Sequence, residues 1–279
     1  DELKSTYDFQ TTSDTEVILA AYERWGTDSV NHLRGMFSFA IWDEHEERLF
    51  CARDRFGIKP FYYAIIDGVF YFASEAKALL PFLPAIETDL DALKDYLFFQ
   101  FCLDGKTLFK GVNELKPAYR LVLKKGDIRF ERYWEVYYNL DFHHTPLYFE
   151  ERLRALVEDA VRVHIRSDVP VGAYVSGGVD SGIVASLAAK YSRSEEFKAF
   201  TGKFSLGELY DESIYAKAVA DMRGMTLHEV DITSNHFIES IRKVIYHLDY
   251  PVAGPGSFPQ YEVSKLAAQH RKVVLGGQG

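Results

Sequence analysis

From residue 145 onward, helix and strand signals alternate without a break, and this rhythm restricts the possible folds more than any other feature of the chain. A helix starts at Pro146 behind Thr145 and is expected to bury Phe149, Leu153, Leu156, Val157 and Ala160. Strand VGAYV (171–175) follows. A helix after Ser181 then places Ile183, Val184, Leu187 and Ala188 on one face. Strand KAFTGKF (198–204) leads to a helix from Asp211 to Arg223, closed by Gly224. Strand TLHEVDI (226–232) precedes a helix that should bury Phe237, Ile241, Val244, Ile245 and Leu248. A further helix opens at Ser257 with a capping box to Gln260, and strand KVVLGG (272–277) closes the pattern. Strands separated by helices cannot pair as hairpins. They form a parallel sheet covered on both faces, with ligands expected beyond the carboxyl ends of the strands.

The first half reads differently. MFSFAIW (36–42) turns through DEHEE into RLFCAR, and FYYAII (61–66) turns at Asp67-Gly68 into VFYFA. YRLVL and IRFERYW are joined by KKGD. These are hairpin signals. Helices are fewer: DTEVILAAYERW carries Val17, Ile18, Ala21 and Trp25 on one face, and TDLDALKDYL opens with Thr88 as its expected N-cap. An antiparallel α+β domain over 1–144 and an α/β parallel-sheet domain over 145–279 are therefore expected. With 279 residues, 47% of them hydrophobic, there is enough apolar material for two cores.

Composition excludes several functions. A net charge of −9 argues against nucleic-acid partners, which require clustered cations. No run approaches the roughly 18 apolar residues of a membrane span, and the acidic start at Asp1 does not read as a signal peptide. Cys51 and Cys102 lie far apart, without disulfide or zinc spacing. A cytoplasmic location without membrane partners is the expectation.

The segment SGGVDS (176–181) sits where strand passes into helix. Free N–H groups and the helix dipole attract anions there. Gly177 and Gly178 let an oxyanion approach bare backbone, and Ser176 and Ser181 add hydroxyl donors. Asp180 should repel phosphate unless a divalent cation intervenes, so Asp180 is expected to ligate Mg²⁺ that also holds phosphate oxygens. The bland alternative is a glycine-rich turn capped by serines.

SGGVDS resembles the pyrophosphate-binding loop of enzymes that cleave ATP between its α and β phosphates. More specifically, the chain is similar to the glutamine-hydrolysing asparagine synthetase family. The matching strings are SDTEVILAAYERWG (13–26), GMFSFAIWD (35–43), ARDRFGIKPFYY (52–63), FASEAKALL (72–80), RSDVPVGAYVSGGVDS (166–181), YDES (210–213) and VVLGGQG (273–279). The resemblance implies the C-terminal part of a type 2, N-terminal-nucleophile glutamine amidotransferase domain over 1–144. It also implies the N-terminal part of an adenine nucleotide alpha hydrolase-like ATP-pyrophosphatase domain over 145–279. The family's catalytic N-terminal cysteine and its glutamine-gripping segment have no counterpart here, since residue 1 is Asp. The chain is accordingly expected to be an internal segment without glutaminase activity of its own.

By the same resemblance, Asp14 matches the aspartate that binds the α-amino group of glutamine, although it could equally be a helix N-cap. Ser176, Gly177, Gly178, Val179, Asp180 and Ser181 match the ATP loop. Tyr174 and Gly202 match positions whose backbone reads adenine, or they are plain strand residues. Gly276 and Gly277 match the pair that closes over the nucleotide. Gln278 stands where relatives carry a Glu or Tyr used in adenylation or acyl transfer. The implied substrates are ATP, glutamine and aspartate, with Mg²⁺ as cofactor, and a homodimer is left open. A lactam-forming relative, or a nucleotide-binding module without turnover, is the alternative. Arg53, Asp54, Gly57 and Lys59 read better as a structural turn with an ion pair. His143 and His144 read as solvated, His228 and His247 as structural, and Asp249 as either a capping or a cleft residue.

Overall fold

A computed structural model of the chain describes residues 2–192, 196–205, 207, 211–251 and 256–277. The chain divides into two compact units, Asp1–Asn139 and Leu140–Gly279.

The first unit holds two antiparallel sheets. One comprises β1 (Ser38–Asp43), β2 (Arg48–Arg53), β6 (Tyr119–Lys124) and β7 (Asp127–Arg132), in the order β1-β2-β6-β7. The other comprises β3 (Tyr62–Ile66), β4 (Val69–Ala73) and β5 (Asn113–Glu114), in the order β4-β3-β5. Turn chemistry fixes the registers. Asp67 and Gly68 both take positive φ (50° and 78°), as do Lys125 and Gly126 (52° and 83°). These are the conformations of two-residue turns whose twist matches the flanking strands, and they pair Ile66 with Val69 and Lys124 with Asp127.

Two helices accompany the sheets, α1 (Asp14–Trp25) and α2 (Leu90–Phe99). Their caps differ from expectation. Ser13, not Asp14, caps α1 by accepting the Thr15 N–H. Asp89, not Thr88, caps α2, because its carboxylate reaches the N–H groups of both Asp91 and Ala92. The buried face of α1 centres on Ala20 and Ala21, whose small side chains permit close approach, while Val17 remains exposed.

The second unit contains α3 (Pro146–His164), β8 (Val171–Tyr174), α4 (Val179–Tyr191), β9 (Lys198–Lys203), α5 (Ser213–Arg223), β10 (Thr226–Asp231), α6 (Ser234–Leu248), α7 (Ser257–Ala267) and β11 (Val273–Leu275). Its sheet has the order β10-β9-β8-β11, and every pairing is parallel. Neighbouring residues of one strand feed opposite layers, as the two-residue strand period requires. Ala173, Val175 and Ala199 join Ala185, Ala188, Ala216 and Ala220 in one cluster. Phe200 joins Ile232, Phe258, Val263 and Ala267 in another.

Several sequence expectations need correction here. Helix α4 begins at Val179 rather than after Ser181, with Gly178 as its cap, so Asp180 and Ser181 occupy its first turn. Its buried residues are Ser181, Gly182, Ala185 and Ala188, while Ile183 is exposed, because the helix approaches its neighbours through small side chains. In α3 the buried residue is Val161, and Phe149, Leu153 and Leu156 are exposed. In α6, Ser240 and Val244 are buried and Phe237 is not. The capping box at Ser257 does not form. Gly256 takes the cap position without a side-chain bond, and the Gln260 amide turns to Ser264 Oγ at 3.4 Å instead.

Candidate functional site

The order of the parallel sheet determines where a crevice can open. From β8 the chain proceeds to β9 and β10 on one side, whereas β11 joins β8 on the other. Loops leaving adjacent strands at such a reversal diverge and expose the strand ends. The residues after β8 and after β11 meet there. A Cβ on Gly277 would lie 2.5 Å from both N and Cα of Ser181 and 2.8 Å from the carbonyl carbon of Asp180, so the strand end rests directly on the first turn of α4. At Gly276 a Cβ would meet nothing within 4 Å.

The loop itself is held by its serines. Ser176 Oγ lies 2.9 Å from Ser181 Oγ, the Ser176 N–H donates to Ser181 Oγ at 3.1 Å, and Ser181 Oγ donates to the Gly178 carbonyl at 3.2 Å. Gly177 has φ +86°, and a Cβ there would stand 2.7 Å from the Glu212 carbonyl oxygen, so only glycine fits without strain. Gly178 leaves the start of α4 without a side-chain cap. The first N–H groups of the helix therefore remain available to an outside acceptor. Val179 and Asp180 are exposed at this turn.

Beside the loop opens a cleft of about 470 Å³. Tyr174, Ser176 and Gly202, which the sequence singled out separately, all line it. At Gly202 a Cβ would stand 2.5 Å from Ile232 Cδ1 and 3.1 Å from Val263 Cγ2, so any side chain there would push these two aside. Tyr174 Oη is 2.8 Å from Ser264 Oγ, which donates in turn to the Gln260 carbonyl at 2.6 Å, tying the end of β8 to α7. Glu212 and Gln260 also line the cleft and were not assigned roles from sequence. Membership of the YDES string is the available signal for Glu212, whereas the sequence marks Gln260 only as a capping residue. Gln278 lies outside the described residues. Among the described residues, no group of three or more His, Cys, Asp or Glu side chains could hold a metal ion.

In the first unit, Asp14 is the first residue of α1 and is exposed. The loop before it is fastened by Glu16, whose carboxylate accepts the Gln10 and Thr11 N–H groups at 2.7 Å each and the Thr11 hydroxyl at 2.5 Å. The Thr11 hydroxyl, followed by the Gln10 N–H, lowers the Glu16 pKa. Sequence reading gave Glu16 no role, since such a bond depends on the path of the loop.

The RDRFGIKP segment is structural. Arg53 is buried and donates to the carbonyls of Lys59 (2.8 Å), Leu115 (2.7 Å) and Gly57 (2.7 Å), with an ion pair to Glu114 at 2.7 Å. Asp54, also buried, accepts N–H groups from Phe37, Phe56, Ile58 and Lys59. Gly57 takes φ +66° against Pro117 Cγ and the Arg53 guanidinium.

Among the histidines, His144 pairs with Asp141 at 2.7 Å and stacks on Tyr148, and His143 donates its backbone N–H to the same Asp141. His228 stacks on His270, with ring centroids 4.0 Å apart. Burial, followed by the His270 charge, pushes the His228 pKa down. His247 is exposed beside Tyr261, and Asp249 ends α6 in a left-handed conformation. The Cys51 thiol is pushed up to about 12 by burial, which leaves it a core residue rather than a nucleophile. Among the described residues, no helix is long and apolar enough to cross a membrane.

Comparison with known proteins matches residues 1–134 to the glutamine amidotransferase domain and residues 152–279 to the asparagine synthase domain. The Bacillus subtilis (strain 168) protein named asparagine synthetase [glutamine-hydrolyzing] 1 is 37% identical over 279 residues, spanning 98% of this chain and 43% of its own length. A putative asparagine synthetase [glutamine-hydrolyzing] of Mycobacterium tuberculosis (strain ATCC 25618 / H37Rv) is 35% identical over all of this chain and 44% of its own. The Penicillium rubens protein named amidase chyE is 30% identical, again over all of this chain and 44% of its own. The chain thus spans less than half the length of these relatives. Among solved structures, glutamine-dependent NAD+ synthetase from Acinetobacter baumannii gives a TM-score of 0.33 at 13% identity, over 95% of this chain and 65% of that one.

Proposed function

The chain belongs to the glutamine-hydrolysing asparagine synthetase family, and from that premise we propose that its second unit binds ATP and activates an aspartate carboxylate for amide formation. The observation that carries this reading is the contact of Gly277 with the first turn of α4, because it closes backbone from two adjacent strand ends around one anion-attracting loop. In this reading the phosphates lie along Ser176 to Ser181, and the base enters the cleft between Tyr174 and Gly202. Gly276 and Gly277 form the opposite wall.

The carboxylate of aspartate attacks the α phosphorus, and the bond to the bridging oxygen of the β phosphate breaks. Pyrophosphate leaves with the electron pair, and β-aspartyl-AMP remains. Ammonia, released from glutamine by the amidotransferase part of the enzyme, then attacks the acyl carbon and AMP departs. The ammonia nitrogen gives up its proton, and asparagine results. The chain contributes mainly positioning and charge neutralisation, through the N–H groups at the start of α4 and the serine-braced loop. Asp14 would hold the α-amino group of glutamine.

Asp180 suits a cation that arrives with the nucleotide. It is an exposed carboxylate on the loop, and phosphate oxygens and water can complete a shell that needs only one or two protein ligands. Mg²⁺ bound there would neutralise charge on the phosphates. The test is product analysis with ATP, glutamine and aspartate in the full-length enzyme. AMP and pyrophosphate should form in an aspartate-dependent way, and Asp180→Asn should abolish pyrophosphate release while glutamine hydrolysis continues. Formation of ADP and phosphate would reject the reading. A second reading keeps the same adenylation with another carboxylic acid as acceptor, since relatives of comparable identity carry different activity names, one of them amidase at 30% identity. It predicts AMP formation that aspartate does not stimulate.

A further inference from the structure

Glu212 is the one charged side chain among the described residues that line the cleft. It stands exposed at the cap position of α5, makes no capping bond, and has no other polar partner among the described residues. Its position beside the loop is fixed: its carbonyl oxygen would lie 2.7 Å, and its own Cβ 3.4 Å, from a Cβ built on Gly177. A carboxylate next to an anion-attracting loop opposes phosphate binding unless it answers a donor on the same ligand.

The arrangement of the cleft identifies that donor. Gly202, Ile232 and Val263 make an apolar and narrow wall, suited to a flat base, while Ser176 lines the side next to the loop. A nucleotide with its base on that wall and its phosphates on the loop has its sugar next to the phosphates, on the loop side, where Glu212 packs against Gly177. A ribose offers two adjacent hydroxyl donors, and a carboxylate can accept both at once. Acidic side chains read ribose hydroxyls in this way in other parallel α/β folds.

We propose that Glu212 accepts hydrogen bonds from the ribose hydroxyls of bound ATP and sets a preference for ribonucleotides over deoxyribonucleotides. The proposal rests on the nucleotide reading of the cleft given above. It makes Glu212 a specificity-determining residue, which the chemistry at the α phosphorus does not require.

The test is calorimetric titration of the full-length enzyme, in excess Mg²⁺, with ATP, 2′-deoxy-ATP and 3′-deoxy-ATP, for the unaltered protein and for Glu212→Ala and Glu212→Gln. The unaltered enzyme should bind ATP roughly tenfold or more tightly than either deoxy analogue, the span of one hydrogen bond to a charged group. Glu212→Ala should weaken ATP most, through the loss of two hydrogen bonds, and each deoxy analogue less, through the loss of the one its remaining hydroxyl makes, so that the three affinities converge, and Glu212→Gln should fall between. Equal weakening of all three ligands, or a sugar preference that survives Glu212→Ala, overturns the proposal and leaves the nucleotide reading standing. A loss in Glu212→Ala that appears when the titrations are repeated at limiting Mg²⁺ and is absent in excess Mg²⁺ makes the residue a cation ligand and overturns it too. If the unaltered enzyme binds none of the three, the nucleotide reading itself falls, and this proposal with it.

Discussion

Gly277 rests on the backbone of Ser181 so closely that a single added carbon would stand 2.5 Å from its N and Cα. Two segments 96 residues apart in sequence are thus locked at one point, and the lock needs a residue without a side chain. Gly277→Ala should force the strand end or the first turn of α4 to shift, costing about 1–3 kcal/mol as overpacking does and weakening ATP binding. Gly276→Ala is the control for packing, since its Cβ meets nothing within 4 Å. Stability to urea, measured for both, should separate the two glycines. Equal behaviour would mean that the contact has no role in shaping the loop.

That contact also marks how far sequence reading could reach. The alternation after residue 145 was enough to foresee a parallel sheet, and Asp67-Gly68 and Lys125-Gly126 were enough to foresee hairpins, because both signals are local. Ser176 to Ser181 was recognisable as a strand-to-helix turn for the same reason. The face that α3 buries was not recognisable, because apolar spacing says which residues share a face but not what covers it. The loop-fastening role of Glu16 was hidden, since it depends on neighbours that only the folded path supplies, and the YDES string marked Glu212 without showing that it lines the cleft. The helix caps lie one residue from Asp14 and Thr88, at Ser13 and Asp89, whose side chains accept the first free N–H groups, and a sequence window does not fix a boundary to a single residue.

Arg53 shows the converse case, a family-like string whose role is mechanical. Its guanidinium serves three carbonyls and the Glu114 carboxylate at once, a planar fork that an ammonium cannot reproduce. Arg53→Met would leave those acceptors and the carboxylate without their donor and should cost about 3–5 kcal/mol. Arg53→Lys should recover only part of this, because one point charge cannot reach all the acceptors. Urea denaturation of both variants checks the ranking. A lysine variant as stable as the parent would show that charge alone suffices.

Gln278 raises a question of proton transfer. A glutamine amide can orient a bound group but cannot take up a proton at neutral pH, so we propose that it acts here through hydrogen bonding. General-base catalysis typically contributes about 10²–10⁴-fold. If the residue stands in for a missing base, Gln278→Glu in the full-length enzyme should raise AMP formation by a large factor. If hydrogen bonding is its role, the rate should stay level or fall, and that is the outcome expected. Asp249→Asn should be assayed alongside, and a loss of turnover there would identify Asp249 as the group that substitutes for a base.

The His228–His270 stack links stability to pH through groups outside the cleft. His228 packs against His270 and Phe200, and the charges around it are those of Glu196, Lys198 and Arg271. Burial, and then the repulsion of His270, lower its pKa in the folded chain below the ordinary value of 6.5. Between the folded and unfolded values the unfolded chain therefore binds more protons, so stability is complete above pH about 6.5 and declines as the pH falls below it. Urea midpoints from pH 8 down to pH 5 should drop in that lower range. Replacing the ring by one that cannot charge, His228→Phe, keeps an aromatic stack on Phe200 and should flatten that part of the profile. A slope unchanged by this substitution would assign the acid sensitivity to other groups.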